Sequence, residues 1–127
     1  MRIVLDSNRY TDFVRGVEEA IDVIHRAHDI LLPFIVLAEL RAGFRSGRVS
    51  ARNEQSLLAF LRGERISVLF PDDDTTHGYA GLYAQLKQAG TPIPTNDLWI
   101  AALTLQHRAY LYSRDAHFAK LPQIARI

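Results

Sequence analysis

Residues 1–6 read Met-Arg-Ile-Val-Leu-Asp, a short apolar run over Arg2–Leu5 that stops at a carboxylate. A run of this length and type predicts a buried first strand, as found in sheets covered on both faces. Working outward, the pattern recurs. Helical spacing predicts helices over 8–14 and 17–27, the second with Val17, Ala20, Ile21 and Ile24 on one face. Residues 30–33 read as a second strand and 34–44 as a helix through Ile35, Leu37, Ala38, Leu40 and Ala42. Ser50 is the expected N-cap of a helix over Ser50–Leu61, with Leu57, Leu58 and Leu61 toward the core. A third strand follows at 66–70, then a helix over 72–89 that opens on acids and closes at Gly90. A helix over 96–108, a fourth strand at 109–112 and a fifth at 124–127 complete the chain.

Short strands alternating with helices imply an α/β fold: three layers, α/β/α, around a mostly parallel four- or five-stranded sheet. With no repeats or long linkers, residues 1–127 are expected to form a single domain. Ligands in such folds bind beyond the carboxyl ends of the strands.

Apolar residues make up 48% and charged residues 23%, values ordinary for a soluble protein. There is no cysteine, which removes disulfides, thiolate nucleophiles and cysteine-ligated metal centres and fits a reducing cytoplasm. No apolar stretch suits a signal peptide or the ~20 residues of a membrane span. A soluble, cytoplasmic protein is expected. Net charge is +1, so no overall basic field points to nucleic acid. Thirteen of the fifteen basic residues are arginine, however, the side chain that grips phosphate in a fork. Arg41, Arg45, Arg48 and Arg52 would share one face of a helix, although Gly43 and Gly47 weigh against an unbroken one. They read either as a solvated face or as a contact strip for a phosphate backbone.

The acids fall where the fold would place a site. Asp6 follows strand one, Asp115 lies three residues after strand four, and Asp97 begins a helix that should approach the same edge. Glu39 interrupts an apolar run, where a carboxylate is costly to bury without a cation or donors. Each has an ordinary reading alone: helix start, turn or solvent-facing side chain. Together, four carboxylates repel one another, and a hard divalent cation such as Mg2+ or Mn2+ removes that penalty. Metal-activated water attacking a phosphodiester is the chemistry such a set suits. His25 and His28 read as surface residues, and His117 alone lies near the acids. Trp99, Tyr79 and Tyr83 read as core or partner-interface residues.

Four stretches carry a resemblance: Val4-Leu5-Asp6-Ser7-Asn8; Val36-Leu37-Ala38-Glu39-Leu40; Pro94-Thr95-Asn96-Asp97-Leu98-Trp99-Ile100-Ala101-Ala102; and Tyr112-Ser113-Arg114-Asp115-Ala116-His117-Phe118. In order and spacing the chain resembles the PIN-domain nucleases, in particular the small VapC-type toxins of toxin–antitoxin pairs. The resemblance implies a Mg2+- or Mn2+-dependent endoribonuclease, with Asp6, Glu39, Asp97 and Asp115 on the family's acidic positions. It implies supporting parts for Asn8, Asn96 and Ser113, the last as a hydrogen-bond partner of a carboxylate or a metal-bound water. It also implies a small antitoxin that blocks the site, and a homodimer. His117 departs from the family, many of whose members carry another acid there.

Two other classes bear weighing. A phospho-accepting receiver would use Asp72 as acceptor but wants paired acids after strand one and a lysine after the last strand. The chain has only Lys87 and Lys120. A binding module that keeps the fold without chemistry would bind RNA in saturating Mn2+ and leave it uncut.

Overall fold

The structure, a computed structural model, describes residues 1–127. Its elements in order are β1 (Arg2–Leu5), α1 (Ser7–Val14), α2 (Glu18–Arg26), β2 (Asp29–Pro33), α3 (Phe34–Arg45), α4 (Ser50–Leu61), β3 (Ile66–Leu69), α5 (Asp73–Ala89), α6 (Thr95–Gln106) and β4 (Tyr110–Tyr112). A 3-10 turn over Ala116–Lys120 follows.

The four strands are parallel and stand in the order β3-β2-β1-β4. Ile3, Val4 and Leu5 of β1 and Ile30, Leu31 and Leu32 of β2 are all buried, which is why these central strands read as unbroken apolar runs. The steps β1 to β2 and β2 to β3 run one way across the sheet, and β3 to β4 runs back past both. Right-handed crossovers then put α1 to α4 on one face and α5 and α6 on the other. This is the expected α/β/α sandwich. The direction of travel reverses between β1 and β4, and at such a switch point the carboxyl ends of the strands leave a crevice for ligands.

Helix α6 runs through the core, with Asp97, Leu98 and every residue from Ile100 to Thr104 buried. It packs on α5, where the rings of Tyr79 and Trp99 lie 4.4 Å apart between centroids. Trp99 is therefore half-buried packing, as its sequence context suggests. No helix is long and apolar enough to cross a membrane.

Three expectations are corrected. Residues 124–127 form no fifth strand. They make a single bridge to β4, through Leu111 N–H donating to Ala125 (2.8 Å) and Ile127 N–H donating to Leu111 (3.1 Å), because β4 offers only three residues at that edge. The N-cap of α4 is Val49, without a side-chain hydrogen bond, and Ser50 is already helical. Helix α6 ends at Gln106, because Arg108 adopts a left-handed conformation (φ 51°) that turns the chain into β4.

Candidate metal centre

Leu5 of β1 pairs with Tyr112 of β4, so Asp6 and Ser113 leave adjacent strand ends side by side. The Asp6 N–H donates to the Tyr112 carbonyl at 3.1 Å, continuing the ladder by one bond. Asp6 then ends the strand and caps α1, its Oδ1 accepting from Ser7 N–H at 2.8 Å. Its other oxygen accepts from the Ser113 hydroxyl at 2.5 Å and, more weakly, from the Asn8 amide at 3.5 Å. Ser113 Oγ in turn accepts from Asp115 N–H at 3.0 Å. One serine thus ties the Asp6 carboxylate to the backbone of Asp115, joining residues far apart in the sequence. Asn8 closes the ring, its carbonyl accepting from Arg114 N–H at 3.1 Å.

Asp97 reaches the same crevice from the first turn of α6, where the positive end of the helix dipole favours an acid. Glu39 comes from the middle of α3. Its Oε1 is buried and has no hydrogen-bond partner. The electrostatics bind the four acids into one cluster. Burial raises the Asp6 carboxyl above the usual carboxylate range against the pull of its hydrogen bonds, with the Asp115 charge adding to the rise. Burial likewise raises Glu39, reinforced by the charges of Asp6, Asp97 and Asp115, while the neighbouring Asn96 amide opposes the shift. Asp97 is raised by burial first and by Asp115 and Asp6 after it, with His117 pulling the other way.

His117 is the residue that sequence reasoning undervalued. Its Nδ1 lies 2.7 Å from Asp97 Oδ2 and 2.9 Å from Asp115 Oδ1, and ligand atoms of these three residues all fall within 4.8 Å of one another. Its position two residues after Asp115 was the available signal. A second unforeseen group supports the centre from behind. Asp12 of α1 is buried and receives a two-pronged contact from Arg114, Nε at 3.0 Å to Oδ2 and Nη2 at 3.0 Å to Oδ1. Arg9 joins it at 3.3 Å and lies over the Tyr112 ring at 4.6 Å.

The donor set fits a hard divalent cation. It consists of carboxylate oxygens with one imidazole, and the buried Glu39 oxygen that no protein donor meets would otherwise stand as a penalty of about 1–3 kcal/mol or more. The four arginines are not on one helical face: α3 ends at Arg45, Arg48 lies in the turn, and Arg52 belongs to α4. Arg41 is held by Glu54, with Nη2 2.9 Å from Oε2. Asp72 proves to be the N-cap of α5, accepting from Thr75 N–H (3.1 Å) and the Gln106 amide (2.9 Å) at the β3 edge of the sheet. A structural cap away from the switch point leaves the receiver reading without its acceptor.

Comparison with known proteins agrees with this geometry. The sequence profile of the PIN domain matches residues 3–124. Ribonuclease VapC1 of Haemophilus influenzae is 37% identical over 87 residues, which span 68% of this chain and 63% of that relative's length. Among solved structures, VapBC-1 from nontypeable Haemophilus influenzae superposes with a TM-score of 0.84 at 25% identity, covering 100% of this chain and 97% of the other. VapBC2 from Rickettsia felis, bound to a DNA fragment from their promoter, matches in fold with a TM-score of 0.88 at 24% identity, covering 100% and 98%. The profile takes in all four acids and every strand residue except Arg2, and the chain belongs to the PIN-domain family, in its VapC-like branch.

Proposed function

We propose that this protein is a Mg2+- or Mn2+-dependent endoribonuclease, a single PIN-like unit over residues 1–127 acting as the toxin of a toxin–antitoxin pair in the cytoplasm. The observation that carries the chemistry is the unpartnered, buried Glu39 oxygen among carboxylates whose pKa values burial and mutual repulsion have raised. Asp6, Glu39, Asp97 and Asp115 would hold the cation. When bound, it would acidify a water and offset charge on the phosphate.

The chain's own residues do the rest. Ser113 and the Ser7 N–H keep the Asp6 carboxylate in one orientation, and Asn8 braces Ser113 at 3.4 Å. Asn96 steadies Glu39. One carboxylate takes the water's proton. The water oxygen bonds to phosphorus in line with the departing 3′ oxygen. The bond from phosphorus to that oxygen breaks, the oxygen takes a proton from solvent to become a 3′-hydroxyl, and the other product keeps a 5′-phosphate. A groove of about 350 Å³, lined by Ser7, Thr11, Arg15, Gly43 and Asn53, opens onto Glu39 and offers RNA an approach. Arg41, Arg45, Arg48 and Arg52, on α3, α4 and the turn between them, would add backbone contacts.

The relatives support the partners. The similar VapBC assemblies, one of them described as a toxin–antitoxin system, support a cognate antitoxin as partner. A small antitoxin that covers the site and a homodimer of this chain are proposed from the family resemblance alone. The test is RNA cleavage by purified protein with and without Mn2+. Asp97→Asn and Asp6→Asn should each lower turnover by roughly 100-fold or more, since ligand geometry and charge balance fail together. Undiminished metal-dependent cleavage in both variants would sink the assignment, and mapping RNA 5′ ends after induction would name the substrate.

A further inference from the structure

We propose that His117 is itself a ligand of the cation in this centre, and that its imidazole biases the site toward Mn2+ or Co2+ over Mg2+. The inference rests on the metal-site reading above. Two acidic oxygens, Asp97 Oδ2 and Asp115 Oδ1, converge on one ring nitrogen at 2.7 and 2.9 Å. A single N–H points well at only one acceptor, so a purely structural histidine gains little from the second contact. Convergence of this kind is the spacing of a coordination shell. Ligands about 2.1 Å from an octahedral ion lie about 3.0 Å from their neighbours and about 4.2 Å from the ligand opposite. The two contacts to Nδ1 match the neighbour spacing, and ligand atoms of all three residues lie within 4.8 Å of one another.

The backbone holds the imidazole in place. His117 N–H donates to Asp115 Oδ1 at 2.9 Å, and the next residue, Phe118, is fully buried and anchors the 3-10 turn in the core. The ring side chain is 42% exposed, so it meets the crevice on one edge and solvent on the other. Glu39 and Asp6 enclose the same crevice and supply oxygen donors only. The chemical consequence follows from the nitrogen. Mg2+ binds almost exclusively to oxygen, whereas Mn2+ and Co2+ accept imidazole, with Co2+ the stronger binder.

The experiment is calorimetric titration of the metal-stripped full chain with MnCl2, CoCl2 and MgCl2, repeated for His117→Asp and His117→Ala. Melting curves would confirm that both variants fold. Wild type should bind Mn2+ about 100-fold more tightly than Mg2+. His117→Asp should narrow that ratio by about tenfold or more, and His117→Ala should weaken Mn2+ and Co2+ more than Mg2+. Pulsed electron paramagnetic resonance of the Mn2+-loaded protein should show coupling to a nitrogen nucleus that both variants lack. A selectivity ratio in His117→Asp within about threefold of wild type, or no nitrogen coupling in wild type, overturns the proposal. The metal-site reading fails separately. Absence of binding by any of the three ions, or binding untouched in Asp97→Asn, overturns that reading and this inference with it.

Discussion

A half-buried acid that faces other acids and keeps one buried oxygen without a donor works against the folded state, and Glu39 is in that position. Its folded-state pKa is raised by burial and by the charges of Asp6, Asp97 and Asp115, so the charged form is less favourable in the fold than in the unfolded chain. Glu39→Gln removes that charge. The variant should melt higher than wild type in EDTA, by about 1 kcal/mol or roughly 4 °C, and should gain little from Mn2+. Thermal melts of both proteins with and without metal make the comparison, and a lower melting point for the variant in EDTA would contradict it. The oddity of Glu39 was legible in the sequence, because a charged residue interrupts an apolar run. That of His117 was not. Its contact with Asp97 joins residues 20 positions apart and exists only because α6 and the segment after β4 meet at the switch point.

Among the elements, α1 does more than follow β1. Through Asp12 it grips Arg114, and through Arg9 it covers Tyr112, so it pins the segment that carries Ser113 and Asp115. Asp12→Ala strands two guanidinium groups and should lower stability by about 2 kcal/mol in chemical denaturation. It should also weaken Mn2+ binding by about tenfold through the loosened loop. Helix α5 offers a pH test. Hydrogen bonds from Thr75 N–H and then the Gln106 amide hold the Asp72 carboxyl below the usual range. Its charge therefore stabilises the fold fully above the unfolded value of about 4 and stops doing so as pH falls through the lower folded value. Asp72→Asn should melt below wild type at neutral pH, and the gap should close in acid. The ends of α5 were readable, with acids at the start and Gly90 (φ 70°) at the stop. The arginine spacing misled because a helix break between Arg45 and Ser50 is a tertiary matter, settled by how α4 packs back on α3.

For the whole molecule, the alternation of strands and helices was enough to expect the parallel sandwich. Strand order was not readable, because it depends on crossovers that no local pattern encodes. That order explains why four acids from distant segments meet. It also predicts that bound metal stabilises the entire fold. At a free Mn2+ concentration 100 times the dissociation constant, wild type should gain about 2.7 kcal/mol, reversed by EDTA and absent in Asp97→Asn. The junction of β1 and β4 has a temporal consequence too. Ser113 meets Asp6 across 107 positions, and Asp115 comes later still. At ordinary synthesis rates, on the order of ten seconds separate the emergence of these partners from the ribosome. Until β4 docks, the growing polypeptide carries Asp6 and Glu39 but no assembled centre. A protein of the proposed activity would therefore stay harmless to the message and the ribosome producing it until β4 and the acid that follows it had been made and had docked.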